Sequence, residues 1–313
     1  MKSKAFCTVI SSSHYSYAIS LRDSIRRFDN SVELFVLITD ANPEEDSIDL
    51  SFIFIDDLKE YSILEKLLNK YSLNSDSFRW SMKSILLLYL LEKRQFDQVF
   101  FVDPDVYFFS DFKFLYNELY DRSFLLSPHW GSMDPFSNYN GFTQHFGHGV
   151  FNGGFLGVTK KGIDTLKWWA EMCFFSCSRK SISPFYVDQI YLHAFPVRNP
   201  DTKILSHKGC NVAIWNQEEC RRIVSDSGEV LINGVYPIVF VHFSHLFDLY
   251  EQDKLLYPYL LEYSNALIEN GHPTGVIEPA RNYFQRQALK KLTFLQRIRR
   301  KYFGVKYFDD SDF

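Results

Sequence analysis

The stretch from Gln98 to Asp111, QVFFVDPDVYFFSD, constrains the fold more than any other part of the chain. Val99 to Val102 is a short run of β-branched and aromatic residues with no polar face, the pattern of a strand buried on both sides of a parallel sheet. Asp103-Pro104-Asp105 follows at once. Pro104 lacks an N–H and fixes φ, so the strand ends there and the chain bends. Open α/β sheets bind ligands at the carboxyl ends of their strands, which is where these two carboxylates fall. Side by side they repel unless a cation lies between them, and hard divalent ions take such ligands. Asp-x-Asp also occurs in plain turns. Here the flanking Phe and Tyr would make an unpartnered acidic pair costly, which favours the cation.

The remaining chain alternates strand and helix patterns. Ala5–Ile10 reads as a strand, Ser11–Ser13 as a turn, and His14–Phe28 as a helix with apolar residues at helical spacing. Glu33–Thr39 and Phe52–Ile55 read as strands, Leu58–Asn69 and Ser77–Arg94 as helices. Strand–helix–strand units of this length predict a parallel sheet with crossover helices. Phe112–Leu119 reads as a short helix and Phe124–Ser127 as a strand. Pro128–Gly149 is a long loop rich in Gly, Asn, His and aromatics, and loops of that length usually have a function. Val150–Val158 is a strand interrupted at Gly153-Gly154, where a ligand could come close. Gly162–Ser178 is a helix. Asp188-Gln189 stands at a helix start within Pro184–Ala194. Cys210–Asn216 and Pro237–Phe243 read as strands, Leu255–Asn270 as a helix and Gly271–Pro279 as a linker.

Several function classes drop out. No run of about 18 apolar residues is free of charge, so no membrane-spanning helix is expected. The apolar run near the N-terminus is too short for a signal peptide and fits a first strand. Five cysteines without a CxxC pair fit reduced, buried thiols and a cytoplasmic location. Residues 280 to 308 hold nine Lys and Arg and no acid, whereas residues 1 to 279 carry 25 basic and 35 acidic residues, a net of −10. Such a body repels nucleic acid. Within 280–303, Phe284, Ala288, Leu292, Leu295, Ile298 and Tyr302 form one apolar stripe flanked by basic residues, the pattern of a helix lying on an anionic membrane surface. The same stripe would also suit a helix packed on the acidic body or on a second subunit.

Four motifs in order, Asp103-Pro104-Asp105, Asn152-Gly153-Gly154, Asp188-Gln189 and His242-Phe243-Ser244, give the chain a family resemblance. It resembles the nucleotide-sugar-dependent glycosyltransferases of the GT-A fold, and among them the retaining family-8 enzymes, over about residues 3 to 247. The resemblance implies an α/β fold, a Rossmann-like and mostly parallel central sheet flanked by helices, for a catalytic domain at 1–250. A C-terminal helical region follows at 251–313. It further implies that Asp103, Asp105 and His242 hold Mn2+ or Mg2+ on the diphosphate, with His245 as the substitute ligand. Thr8, Ser11, Ser12, Lys83 and Asp103 would contact the donor, Asn152, Gly153 and Gly154 would line its sugar, and Asp188 and Gln189 would stand beside the anomeric carbon. A nitrogen ligand beside two carboxylates suits Mn2+ better than Mg2+.

The bland readings stay beside these. Lys83 could be a solvated helix residue and His242 a core histidine. Asn211, Trp215 and Asn216 either line an acceptor pocket or serve a strand and its turn. The chain also departs from the family pattern: after the metal histidine, family 8 has Gly three residues on and Lys six residues on, where this sequence has His245 and Asp248.

The function implied is transfer of a hexose or related sugar from a nucleotide diphosphate sugar, of the UDP type, to a glycan, glycolipid or glycoprotein. A lipid-linked acceptor would suit a peripheral position on the inner face of the plasma membrane. Two other classes compete. A haloacid-dehalogenase-like phosphohydrolase would use Asp103 as nucleophile, but that family carries its acidic pair on the first strand. A catalytically silent sugar-nucleotide-binding module would not need intact metal and sugar motifs.

Overall fold

The computed structural model describes residues 3–40, 50–73, 75–179 and 185–282. The first half contains β1 (Lys4–Ile10), α1 (Tyr15–Arg26), β2 (Glu33–Ile38), β3 (Ser51–Ile53), α2 (Ser62–Lys70), α3 (Asp76–Glu92), β4 (Gln98–Val102), β5 (Val106–Phe108), α4 (Phe114–Glu118) and β6 (Phe124–Pro128). The second half contains α5 (Tyr139–Gly147), β7 (Phe151–Thr159), α6 (Ile163–Phe175), α7 (Phe195–Arg198), β8 (Lys203–Ile204), β9 (Arg222–Val224), β10 (Val230–Ile232), β11 (Tyr236–Pro237), β12 (Phe240–His242), α8 (Leu246–Gln252) and α9 (Tyr257–Glu269).

Seven strands form the central sheet in the order β3-β2-β1-β4-β7-β6-β8. Its pairs are parallel except where β7 runs against β4 and β6. The sheet is mostly parallel, as the strand and helix alternation predicts. Both faces are covered, because successive side chains of a strand point to opposite sides. On one side Ala5, Cys7 and Val9 of β1 and Val99 and Phe101 of β4 join a core with α2, α3 and α6. On the other, Phe6, Ile10, Phe100 and Val102 join α1, β5 and α4. In that second core Phe6 stacks on Phe100 at 5.2 Å and meets Phe108 and Phe112 edge-on.

A third core joins the small sheets to the C-terminal helices. β5 pairs with β12, and β9, β10 and β11 form a separate three-stranded sheet. Tyr263 of α9 is fully buried, stacked on Phe243 at 4.2 Å and tilted against Tyr107 at 5.6 Å. Arg27 after α1 pairs with Glu262 of α9 at 2.6 Å. α9 is therefore seated on the same body as the sheet. The basic stretch, from residue 283 on, lies outside the described residues, as does Pro184. No described helix is long and apolar enough to cross a membrane. All five cysteines are buried and unpaired.

Several segments differ from the sequence reading, Pro237–Phe243 among them, whose ends fall in two different sheets as β11 and β12. The loop Pro128–Gly149 contains a helix, α5, capped by Asn138, whose Oδ1 accepts the Gly141 N–H at 2.8 Å. Cys210–Asn216 is not a strand. Only Val212 bridges to Val241, and Ile214–Asn216 form a 3-10 turn. Two asparagines divert it. Asn211 sits at φ 59°, and the Asn216 amide oxygen accepts the Ala213 N–H at 3.0 Å, a local bond that replaces a sheet ladder.

Candidate active site

β4 ends in the middle of the large sheet. The Asp103 N–H makes a last bond across it to the Gly154 carbonyl at 2.8 Å, and the Val106 N–H then turns back onto the Asp103 carbonyl at 3.1 Å. Beyond this turn the chain leaves the large sheet as β5. β12 pairs with β5 in the register His242–Val106, and the Phe243 N–H donates to the Asp105 carbonyl at 2.8 Å. A strand distant in sequence thus delivers His242 to the two aspartates. His242 Nε2 lies 3.1 Å from Asp105 Oδ1 and 3.9 Å from Asp103 Oδ2.

Asp103, Asp105 and His242 each offer one ligand atom, and the three atoms lie within 4.8 Å of one another. The histidine is buried, while the two carboxylates keep 25% and 30% of their side chains exposed, which leaves one side open to a ligand. Two hard oxygens and one imidazole nitrogen suit a divalent ion such as Mn2+, so the donor set fits the metal that the resemblance implies. Burial alone would push the His242 ring below its ordinary value, but the Asp105 carboxylate outweighs it and holds the ring above. In return, burial would raise the Asp105 carboxyl, but His242 draws it below the usual range. His245 lies outside the three-residue cluster, at φ 57° before α8. The Asp248 carboxylate accepts a bond from Gln252 at 3.1 Å.

The glycines of β7 make the room. A Cβ on Gly154 would collide with Cε1 of His242 and come within 2.8 Å of both Asp103 Oδ2 and Asn152 Oδ1. A Cβ on Gly153 would meet Asp188 Oδ2 and Gln189 Cβ at 3.0 Å. The strand therefore separates two groups, His242 with Asp103 over Gly154 and Asp188 with Gln189 over Gly153. The Gly153 N–H donates to Gln189 Oε1 at 3.3 Å.

Lys83 joins the two groups. It lies on α3 against the sheet and is buried, with Nζ 3.0 Å from Asp103 Oδ1, 3.3 Å from Asp188 Oδ2 and 3.0 Å from the Gly153 carbonyl. It is not a solvated helix residue. Burial would lower its ammonium, but Asp103 and Asp188 outweigh that and hold it charged. Asp188 is only 2% exposed, and burial pushes its carboxyl up to about 6 even beside Lys83.

At the end of β1, Thr8 is fully buried and its hydroxyl has no hydrogen-bond partner. The Ser12 N–H and hydroxyl both bind the Asp40 carboxylate, at 2.7 and 3.1 Å, and Ser11 Oγ lies 2.8 Å from His14 Nδ1. Asn152 is held on both sides. Its Oδ1 accepts the Gly154 N–H at 2.9 Å and its Nδ2 meets His129 Nε2 at 3.1 Å. His129 Nδ1 lies 2.8 Å from the Gly149 carbonyl, and burial pushes this ring down to about 3, so it is neutral and accepts from Asn152. Sequence reasoning missed His129, His14 and Asp40. Asp40 closes a strand and His129 opens a loop, and in neither case does the spacing show the partner.

No protein-family model matches the chain. It is similar to the uncharacterized protein YfnF of Bacillus subtilis (strain 168), at 25% identity over 77% of this chain and 80% of that one. Among solved structures, the bifunctional glycosyltransferase WbbM matches with a TM-score of 0.50 and 12% identity, over 90% of this chain and 51% of that one. The galactosyltransferase LgtC, solved with donor and acceptor sugar analogues, matches with a TM-score of 0.48 and 16% identity, over 86% and 96%. At 12% identity the likeness to WbbM is one of fold alone.

Proposed function

We propose that the protein is a metal-dependent glycosyltransferase. It would move a hexose or related sugar from a nucleotide diphosphate sugar, of the UDP type, to a glycan, glycolipid or glycoprotein, with retention of configuration. One observation carries this reading: Asp103, Asp105 and His242 converge over Gly154, and Lys83 and Asp188 lie beside them across Gly153. A fold shared with glycosyltransferases supports it.

Each group has a part in that chemistry. Asp103, Asp105 and His242 would hold Mn2+ or Mg2+, and a divalent ion there neutralises charge gathering on the departing diphosphate. Lys83 adds a second fixed positive charge whose position is set by Asp103 and Asp188. Sugar transfer passes through positive charge at the anomeric carbon, which a neighbouring carboxylate or amide stabilises. Asp188 and the Gln189 amide would fill that role, seated against β7 in the room that Gly153 leaves. Ser11, Ser12 and Thr8 mark the nucleoside end. A place in polysaccharide synthesis on the inner face of the plasma membrane fits the basic stretch 280–303 and a lipid-linked acceptor.

The test is a panel of nucleotide sugars incubated with the full chain in Mn2+, in Mg2+ and in EDTA. Release of nucleoside diphosphate from one or a few donors, lost in EDTA, is the expected result. Phosphate release from phosphomonoesters without donor turnover would favour the phosphohydrolase. Tight nucleotide binding with no turnover of any donor or acceptor would favour a silent module.

A further inference from the structure

Asn211 stands behind the metal histidine. It is fully buried and adopts φ 59°, a backbone conformation that asparagine tolerates better than most residues. Its Nδ2 donates to the Pro128 carbonyl at 3.4 Å, which fixes the orientation of the amide and turns Oδ1 toward His242. That oxygen lies 3.3 Å from His242 Nδ1. The two backbones are locked together on either side of this contact. The Val212 N–H donates to the Phe240 carbonyl at 3.1 Å, and the His242 N–H to the Val212 carbonyl at 2.9 Å. Asn216 braces the turn from below, donating through Nδ2 to the Asn211 carbonyl at 2.8 Å. Trp215 closes the other side of the ring, edge to face at 5.3 Å.

An amide oxygen can only accept, so His242 Nδ1 must carry a proton to bond with it. A neutral imidazole protonated at Nδ1 has its lone pair on Nε2, the atom that faces Asp103 and Asp105. Resting on the metal reading of the site, we propose that Asn211 is a positioning residue. It holds His242 in the tautomer and orientation that present Nε2 to the ion. Partners of this kind orient metal-bound histidines and raise their basicity, and their loss costs about 10- to 100-fold in metal affinity.

The test uses Mn2+ alone, titrated into the full-length chain, with the free ion followed by electron paramagnetic resonance. Asn211→Gly suits the left-handed backbone and removes the amide. It should bind Mn2+ about 10- to 100-fold more weakly, with thermal unfolding in EDTA close to native. Asn211→Asp keeps an oxygen acceptor for Nδ1 but loses the donor to the Pro128 carbonyl, and should bind Mn2+ more tightly than the glycine variant. Native affinity in the glycine variant, or an aspartate variant as weak as the glycine one, would overturn the proposal. Should the glycine variant fail to fold, the aspartate variant decides alone, a loss of affinity as large as that expected of glycine counting against Asn211. A native chain that takes up no Mn2+ at millimolar concentration overturns the metal reading and this proposal with it. That failure is seen before any substitution and so differs from a failure of Asn211 alone.

Discussion

Gly154 and His242 fit together only because Gly154 has no side chain: a Cβ there would occupy the space of the imidazole Cε1. The pair ties a strand of the large sheet to a strand of the two-stranded sheet. Asp103 Oδ2 would also come within 2.8 Å of that Cβ. Gly154→Ala should therefore displace His242 and Asp103 before it disturbs the core. We expect it to abolish Mn2+-dependent turnover while costing about 1–3 kcal/mol of stability, the usual range for overpacking. Measuring turnover and denaturant midpoint on one preparation checks both, and an active variant would sink the assignment.

Asp105→Ala removes one ligand without adding bulk. Turnover should fall by at least about 10²–10³-fold, the scale seen when a single group stabilising transition-state charge is lost. Mn2+ should bind more weakly in the absence of nucleotide. Near-native turnover in the variant would show that the ion, if needed, sits elsewhere.

Asp188 offers a prediction in which stability and activity part company. Burial raises its carboxyl from 3.8 to about 6 in the folded chain. A raised acid favours the folded state at low pH, and this contribution is lost as pH rises from about 4 through 6. At about 1.4 kcal/mol per unit, the ionised carboxylate costs the ion-free fold roughly 3 kcal/mol at neutral pH. Asp188→Asn should thus unfold at a higher temperature than the native chain at pH near 8 in EDTA, with little difference near pH 4. It should at the same time lose most of its activity. Equal stability at both pH values would contradict the burial argument.

Much of this arrangement is legible in the sequence, and the limits are physical. Val99–Val102 is apolar on both faces because both faces are buried, so β4 and its acidic turn are visible from local pattern alone. Lys83 sits in a helix apolar on nearly every side, which fits its burial between the sheet and α6. α5 has no buried residue: Tyr139, Phe142 and Phe146 fall at helical spacing, but they pack into no core and read as aromatic residues of a loop rich in Gly and Asn, where the Asn138 cap is the other local signal. Asn211 looks like a strand residue until its partners are known. Pro128 and His242 are remote in sequence, and no spacing rule connects them.

The basic stretch 280–303 gives a fourth prediction. A chain ending at Pro279 should stay in the supernatant when sedimented with anionic liposomes at low salt, while the full chain pellets with them. Each Lys or Arg near such a surface contributes about 1 kcal/mol. Equal recovery of both chains in the supernatant would rule out the membrane and leave the reading in which the stretch packs on protein.

The Asp103-Pro104-Asp105 turn has one more consequence. Asp103 belongs to the seven-stranded sheet, whereas Asp105 and His242 belong to the pair of strands that carries the third core and its helices. An ion held by all three would add one more link between strands already joined by that turn and by packing. Its binding energy would then add to the cohesion of the fold, rising with the logarithm of ion concentration above the dissociation constant. On the proposed metal reading, the ion-free protein would be looser at this seam, and heat or proteases would be expected to open it there first.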